Sequence, residues 1–345
     1  MKRQFRLKHL LLAGSLAALL PWLRGAMPAA SSAEYVHTLK ATQTVHTGFF
    51  DASLPPVLAV ESGDTVSLST MMLMDGQLRC SLTFEELKAK RQEYRKRKIG
   101  PHTMTGPVYI KGAAPGDVLE VRIKKIALIP CGVNYHFPVL PRSRGRSEES
   151  YAGQIKSLTF DLEKMETVFG PGVIIPLRPF FGVMGVAPKR GEKRPAAIPE
   201  YFGGNIDNKE LVTGTTLYLP VQVEGALFSC GDVHAAQGDG EVSGTAIETA
   251  AAEALLQFFV RKDIKIERPL AETPTHWITM GFHQGLDEAM RMALQDAVRF
   301  LCWNKGLTPD DALALASLAV DFRVTQIVDG NKGIHAMIPK GIFKN

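Results

Sequence analysis

Short runs of alternating apolar and polar residues predict strands along much of the chain. Val57–Val60 and Thr65–Thr70 are two such runs, with Ser62-Gly63-Asp64 as the turn between them. Val108–Ile110 and Val118–Ile123 repeat the arrangement around Pro115-Gly116-Asp117. Ile174–Ala187 returns to strand and turn, where Gly182 and Gly185 permit tight packing or backbone approach to a ligand. Further strands are expected over Thr215–Phe228 and Trp277–Phe282.

Helical spacing interrupts these runs. Phe84–Lys98 is densely charged, with acidic and basic residues three or four apart, and reads as a solvated helix. A basic docking surface or lid is the functional alternative for that segment. Ala246–Phe259 is Ala-rich and apolar on one side, so a helix is expected there. Leu286, Met290, Ala293, Ala297 and Leu301 mark an amphipathic helix over Asp287–Trp303. Thr308-Pro309-Asp310-Asp311 starts another, with Thr as N-cap and Pro at the first helical position. Long helices set against many strands predict a mixed α/β (α+β) fold rather than a pure sandwich.

With 345 residues and 45% apolar content, the chain can bury a large core. The formal net charge is +5. Much of that charge comes from the N-terminus and one short basic run, which leaves no nucleic-acid footprint. Residues 1–33 resemble an export signal: Lys2, Arg3, Arg6 and Lys8 precede an apolar core, Leu10–Leu20, and Ser31-Ser32-Ala33 offers a cleavage site before Glu34. That core is too short for a stable anchor, so a periplasmic protein with no membrane anchor after processing is expected. Lys2-Arg3-Gln4-Phe5 also resembles a twin-arginine signal with Lys in place of the first Arg, which leaves the export route open. Cys80, Cys131, Cys230 and Cys302 form no CxxC and therefore no structural zinc set; in an oxidising compartment one pair could bridge.

Candidate chemistry concentrates in Gly203–Glu248. The expected strand there delivers Asp232, His234, Asp239 and Glu241 within ten residues, separated mostly by Gly and Ala. Asp232 and His234 stand two apart, so in extended chain their side chains share a face and can grip one divalent cation. Zinc is the default for mixed nitrogen and oxygen ligands, with manganese and nickel as alternatives. Gly238 and Gly240 free the backbone around Asp239 to swing Glu241 back toward the same point. The plain alternative is a polar turn whose Asp and His cap backbone groups. His46, Asp51 and His283 read as ordinary loop or capping residues.

The stretches GGNIDN and YLPVQVEGALFSCGDVHAAQGDGEVSGTAIE resemble the acetamidase/formamidase family. So do Gly100–Val121, Ile174–Pro188 and Asp310–Pro339, and the resemblance covers the chain from Thr47 onward. It implies hydrolysis of small amides such as formamide or acetamide to acid and ammonia, on an α/β scaffold with β-sandwich and barrel parts and a bound divalent metal. Residues 34–345 then form the catalytic domain, mainly β over 34–190, with the metal-site block and helices over 191–345. His102 maps onto a family histidine ahead of Thr-Gly-Pro. Asp232, His234, His102 and Asp207 would hold the ion, and Glu241 would take the proton from a water on it. Exchange of roles between Glu241 and Asp207 stays open. A homo-oligomer, dimer or larger, is expected.

Three other readings remain. A nucleophilic amidohydrolase would use Cys230 or Ser229 beside Asp232 and His234, and thiol alkylation against chelation separates it. A cyclic-amide (lactam) hydrolase of the same fold is a close neighbour. A non-catalytic periplasmic binding protein would cleave no amide.

Overall fold

The structure is a computed structural model describing residues 36–42, 44–138 and 150–344. The expected export signal lies outside those residues, as does most of Arg142–Gln154, whose Gly, Ser and charged residues read as a polar surface loop. One large sheet holds nine strands. In spatial order they are β1 (Val36–Leu39), β5 (Thr65–Leu68), β18 (Ala251–Arg261), β7 (Val118–Leu128), β15 (Thr216–Pro220), β19 (Leu270–Glu272), β20 (His276–His283), β22 (Lys332–Pro339) and β21 (Asp321–Gln326). The second holds eleven. Its main path runs β11 (Val173–Pro176), β10 (Glu166–Gly170), β9 (Gln154–Asp161), β8 (Cys131–His136), β17 (Glu248–Thr249), β16 (Phe228–His234), β12 (Phe180–Gly185) and β14 (Gly203–Asn205). Strand β6 (Thr103–Ile110) branches from β16 and carries β2 (Val45–Thr47) and β4 (Leu58–Val60). A small ribbon pairs β3 (Phe49–Asp51) with β13 (Lys193–Pro195). Both large sheets draw strands from either side of residue 190, and neither closes into a barrel among the described residues.

The two sheets share one apolar core. Val121, Ile123, Leu219, Leu256 and Phe258 from the first belong to the same buried cluster as Met104, Val108, Phe181, Val183 and Phe228 from the second. Phe228 and Phe258 meet with ring centroids 5.1 Å apart, joining β16 to β18 across the layers. This is the sheet-on-sheet arrangement in which alternate residues of each strand face inward.

Helices α1 (Phe84–Lys96), α2 (Leu286–Lys305) and α3 (Pro309–Ala319) cover the rest. Thr83 and Glu86 form a capping box at α1. Thr308 caps α3 by accepting from Asp311 N–H, with Pro at the start of the helix, as the sequence predicts. Ala289, Ala293 and Ala297 stand four apart and are fully buried. That small-residue stripe lets α2 approach β20 at Gly281, where an added Cβ would come within 2.0 Å of the Ala289 carbonyl oxygen. Among the described residues no helix is long and apolar enough to cross a membrane.

Two expectations are corrected. Ala246–Phe259 is strand, not helix: β17 and β18 occupy it, and β18 pairs with β7 along its length. The alternation of buried Ala254, Leu256 and Phe258 with partly exposed neighbours is a period of two, and burial against the second sheet overrides alanine's helical preference. The strand expected over Thr215–Phe228 breaks after Pro220, so its ends lie in different sheets. Cys80 and Cys131 form a disulfide that ties the turn before α1 to β8.

Candidate metal centre

Strand β16 lies inside the second sheet, flanked by β12, β17 and β6. Its last residues are Asp232 and His234, so the first two candidates sit on the strand itself rather than in a loop beyond it. Asp207 follows β14, and Glu241 follows the glycines after β16. Asp232, Asp207 and Glu241 all have positive φ, at 53°, 50° and 44°. Such backbone costs free energy in non-glycine residues and persists where the surroundings over-determine it. Gly182 on β12 leaves the hollow they share. A Cβ there would stand 2.7 Å from Asp207 Oδ1 and 2.8 Å from His234 Cε1.

His234 is the hub. Its Nε2 is 3.4 Å from Asp232 Oδ2 and 3.4 Å from Glu248 Oε2. His102 Nε2 stands 3.6 Å from the same Asp232 oxygen. On the other side of the ring, Nδ1 lies 3.0 Å from Gln237 Oε1 and 3.7 Å from Asp207 Oδ1. Gln237 also donates through Nε2 to the Asp207 carbonyl at 2.9 Å, which fixes its amide orientation and leaves Oε1 to accept from Nδ1–H. In the neutral imidazole the Nε2 lone pair then faces the two carboxylates. Phe180 packs its ring edge-to-face on the imidazole at 5.1 Å. Asn205 Nδ2 donates to Asp207 Oδ2 at 2.8 Å, and Ala246 N–H donates to Glu248 Oε1 at 3.0 Å.

Two compact donor sets share this histidine: Asp232, His234 and Glu248, and Asp207, His234 and Glu241. The four ligands expected from the sequence therefore divide. Asp232 and His102 lie toward Nε2, and Asp207 lies toward Nδ1 and shares its donor set with Glu241.

Charge in this pocket is heavily perturbed. Burial, reinforced by Glu241 and Asp329, pushes the Asp207 carboxyl well above its usual range. Burial and the neighbouring Asp329 do the same to Glu241. Glu248 is pushed up to about 7 by burial, with His234 opposing and Asp232 adding. The Asp329 carboxyl rises to about 6, again from burial. Burial also acts on Asp232, but the His234 and His102 imidazoles outweigh it and hold its carboxyl below the usual range. Burial lowers His102. His234 rises despite burial because Glu248 and Asp232 face it.

The donor set fits a divalent cation. Asp207 Oδ1, Asp232 Oδ1, His234 Nε2 and Asp329 Oδ2 are buried and have no hydrogen-bond partner among the described residues. Orphans of that kind are costly without an ion or water. The 3.4 Å separations at Nε2 exceed the ~2.7–2.9 Å of charge-assisted hydrogen bonds. They match the edge of a tetrahedron, since ligands roughly 2.05 Å from a central zinc lie about 3.3 Å apart.

Glu248, Asp329 and Gln237 were not singled out from the sequence. Glu248 sits in the run read as a helix start, and Asp329 in a Val-Asp-Gly-Asn turn far along the chain. Nothing in sequence marks Gln237 beyond its place three residues after His234. Asp239 stays outside the cluster and pairs with Lys209 at 2.8 Å. His283 accepts from Gly285 N–H and Asp51 from Ser53, both local structural roles. The nucleophile candidates point elsewhere. Cys230 is buried in the core with its thiol pushed up by burial. Ser229 is buried too, and its hydroxyl meets His46 Nε2 at 2.9 Å rather than His234. A cleft of about 430 Å³ opens beside the cluster, with Gln237 and Glu241 in its lining.

The acetamidase/formamidase family model matches residues 35–193 and 191–345. A formamidase of Methylophilus methylotrophus is 27% identical over 314 residues, 70% of this chain and 77% of that protein. An acetamidase of Mycolicibacterium smegmatis is 26% identical over 199 residues, 41% of this chain; the alignment spans only about half of that protein, 49%. Among solved structures, an acetamidase from Bacillus halodurans superposes with a TM-score of 0.78 at 31% identity, covering 89% of this chain and 98% of that one. A gamma lactamase from Delftia acidovorans shares the fold more distantly, with a TM-score of 0.57 at 22% identity over 90% of this chain and 94% of that one.

Proposed function

The chain belongs to the acetamidase/formamidase family, and on that premise we propose that it is a metal-dependent hydrolase of linear amides such as formamide or acetamide, releasing the acid and ammonia. The observation that carries this reading is the convergence of Asp232, Glu248 and His102 on the Nε2 side of His234. These four residues would hold the cation, and their nitrogen and oxygen donors at tetrahedral spacing favour zinc.

An amide is a poor electrophile with a poor leaving group, and a divalent ion so placed supplies a Lewis acid that polarises the carbonyl and acidifies water toward a pKa of about 7. Glu241 is the general base. Its carboxyl is buried at the cleft and belongs to one donor group with Asp207 and His234, which places it to take a proton from the attacking water and return it to the departing nitrogen. Asp207 and Asp329 flank Glu241 as further buried carboxyls whose proton affinity is raised by burial. Gln237 orients the imidazole and Asn205 orients Asp207. The Cys80–Cys131 disulfide supports export to an oxidising compartment, in keeping with the N-terminal pattern.

The test is metal analysis of purified protein alongside ammonia release from formamide and acetamide, before and after chelation. Stoichiometric zinc and chelator-sensitive turnover are expected. Turnover that resists chelation but yields to thiol alkylation would move the chemistry to Cys230.

A further inference from the structure

Resting on the amidase reading, we infer that the cleft beside the centre is an acyl-binding groove, and that the preferred amide carries an apolar chain of several carbons rather than the small acyl group of formamide or acetamide. Room is the first argument. The cleft measures about 430 Å³. At roughly 30 Å³ per water it has space for on the order of a dozen waters, whereas formamide, with only a few non-hydrogen atoms, takes the place of two or three. Clefts of this size enclose ligands well beyond the smallest amides.

The lining is the second argument. Leu158 on β9, Phe169 on β10, Ile175 on β11 and Val242 and Ile247 after β16 give it an apolar wall. Val242 is 64% exposed and Phe169 37% exposed, with the Lys156 ammonium 4.0 Å over one face of the Phe169 ring, so the wall presents apolar surface chiefly at Val242. Its catalytic end is polar, with Glu241 and Gln237 in the lining. An amide whose carboxamide sits at the Glu241 end therefore lays its acyl chain along the wall.

Charge is the third argument, and it selects a neutral chain. The two cations in the lining are each paired with an acid: Lys209 with Asp239 at 2.8 Å and Arg178 with Glu210 at 3.4 Å. Among the described lining residues no lysine or arginine is left without an acidic partner for an acyl group bearing a carboxylate, although Lys156, outside the lining, lies over the Phe169 ring at 4.0 Å and donates to the Phe169 carbonyl.

The experiment measures kcat/KM for ammonia release by the zinc-replete protein from formamide, acetamide, butyramide and hexanamide. Each added methylene should raise kcat/KM about threefold to fourfold if it is buried against the wall. Hexanamide should therefore exceed acetamide by on the order of 10²-fold. Val242→Asp and Phe169→Asp, both at exposed positions, should cut the hexanamide-to-acetamide ratio at least tenfold, chiefly through KM. A kcat/KM that falls from acetamide to hexanamide, or a ratio that neither substitution moves, overturns the groove while leaving the amidase reading standing. Failure to release ammonia from any of the four amides overturns both.

Discussion

Glu248→Gln separates holding a cation from merely filling a core. In the metal-free protein Glu248 is a buried carboxyl whose pKa rises from 4.5 to about 7. A carboxyl raised on folding leaves stability intact below its unfolded pKa and removes it as pH rises through the folded value. The shift corresponds to about 3 kcal/mol lost between pH 4.5 and pH 8. Glutamine does not titrate, and its Oε1 can still accept from Ala246 N–H. Metal-free Glu248→Gln should therefore lose less stability than wild type between pH 5 and pH 8, with Tm higher by roughly 5 °C at pH 8. Zinc affinity should move the other way. Losing an oxygen 3.4 Å from His234 Nε2 should weaken binding by more than the roughly 10–100-fold that loss of an outer-sphere partner costs. Calorimetry of the stripped protein and chelator-competition titrations of zinc supply the two readouts. Unchanged zinc affinity together with an unchanged Tm profile would refute the argument.

Glu241→Gln should retain stoichiometric zinc and lose about 10²–10⁴-fold in kcat, measured on the same preparation as metal content; lost metal would make Glu241 a ligand instead. Gln237→Leu removes the acceptor that faces His234 Nδ1. It should weaken zinc roughly 10–100-fold while the protein stays folded, and wild-type affinity would sink that role. N-terminal sequencing of material from the periplasm should begin near Glu34; full-length protein confined to the cytosol would rule out export.

The grouping of Asp232, His234, Asp207 and Glu241 was more legible in the sequence than the scaffold. The two-residue spacing of Asp232 and His234 pointed to a shared face, and the two side chains do meet, although Asp232 takes φ 53° rather than the extended backbone that reading assumed. The path of strands between sheets was not. Leu58–Val60 and Thr65–Leu68 look like the arms of a hairpin across Ser62-Gly63-Asp64, yet they pair in different sheets. The runs around Pro115-Gly116-Asp117 behave the same way, β6 joining β16 and β7 joining β18. A turn signal fixes where the chain bends but not which strand it meets next. Glu248 was hidden because alanine-rich sequence reads as helix until the alternation of Ala254, Leu256 and Phe258 is weighed. Gln237 acts only through a contact that needs His234 already placed. The Cys80–Cys131 pairing likewise depends on β8 passing the turn before α1, a long-range fact with no local trace.

The most direct test of the central claim is a titration. Protein stripped by chelator is supplied with zinc in measured steps while ammonia release from acetamide is followed, with Asp232→Ala and His234→Ala carried in parallel. Wild-type turnover should be lost on stripping and return in proportion to bound zinc, and neither variant should bind zinc tightly or recover. Full turnover by wild-type protein shown to contain no metal, or recovery by His234→Ala at the wild-type stoichiometry, would contradict it.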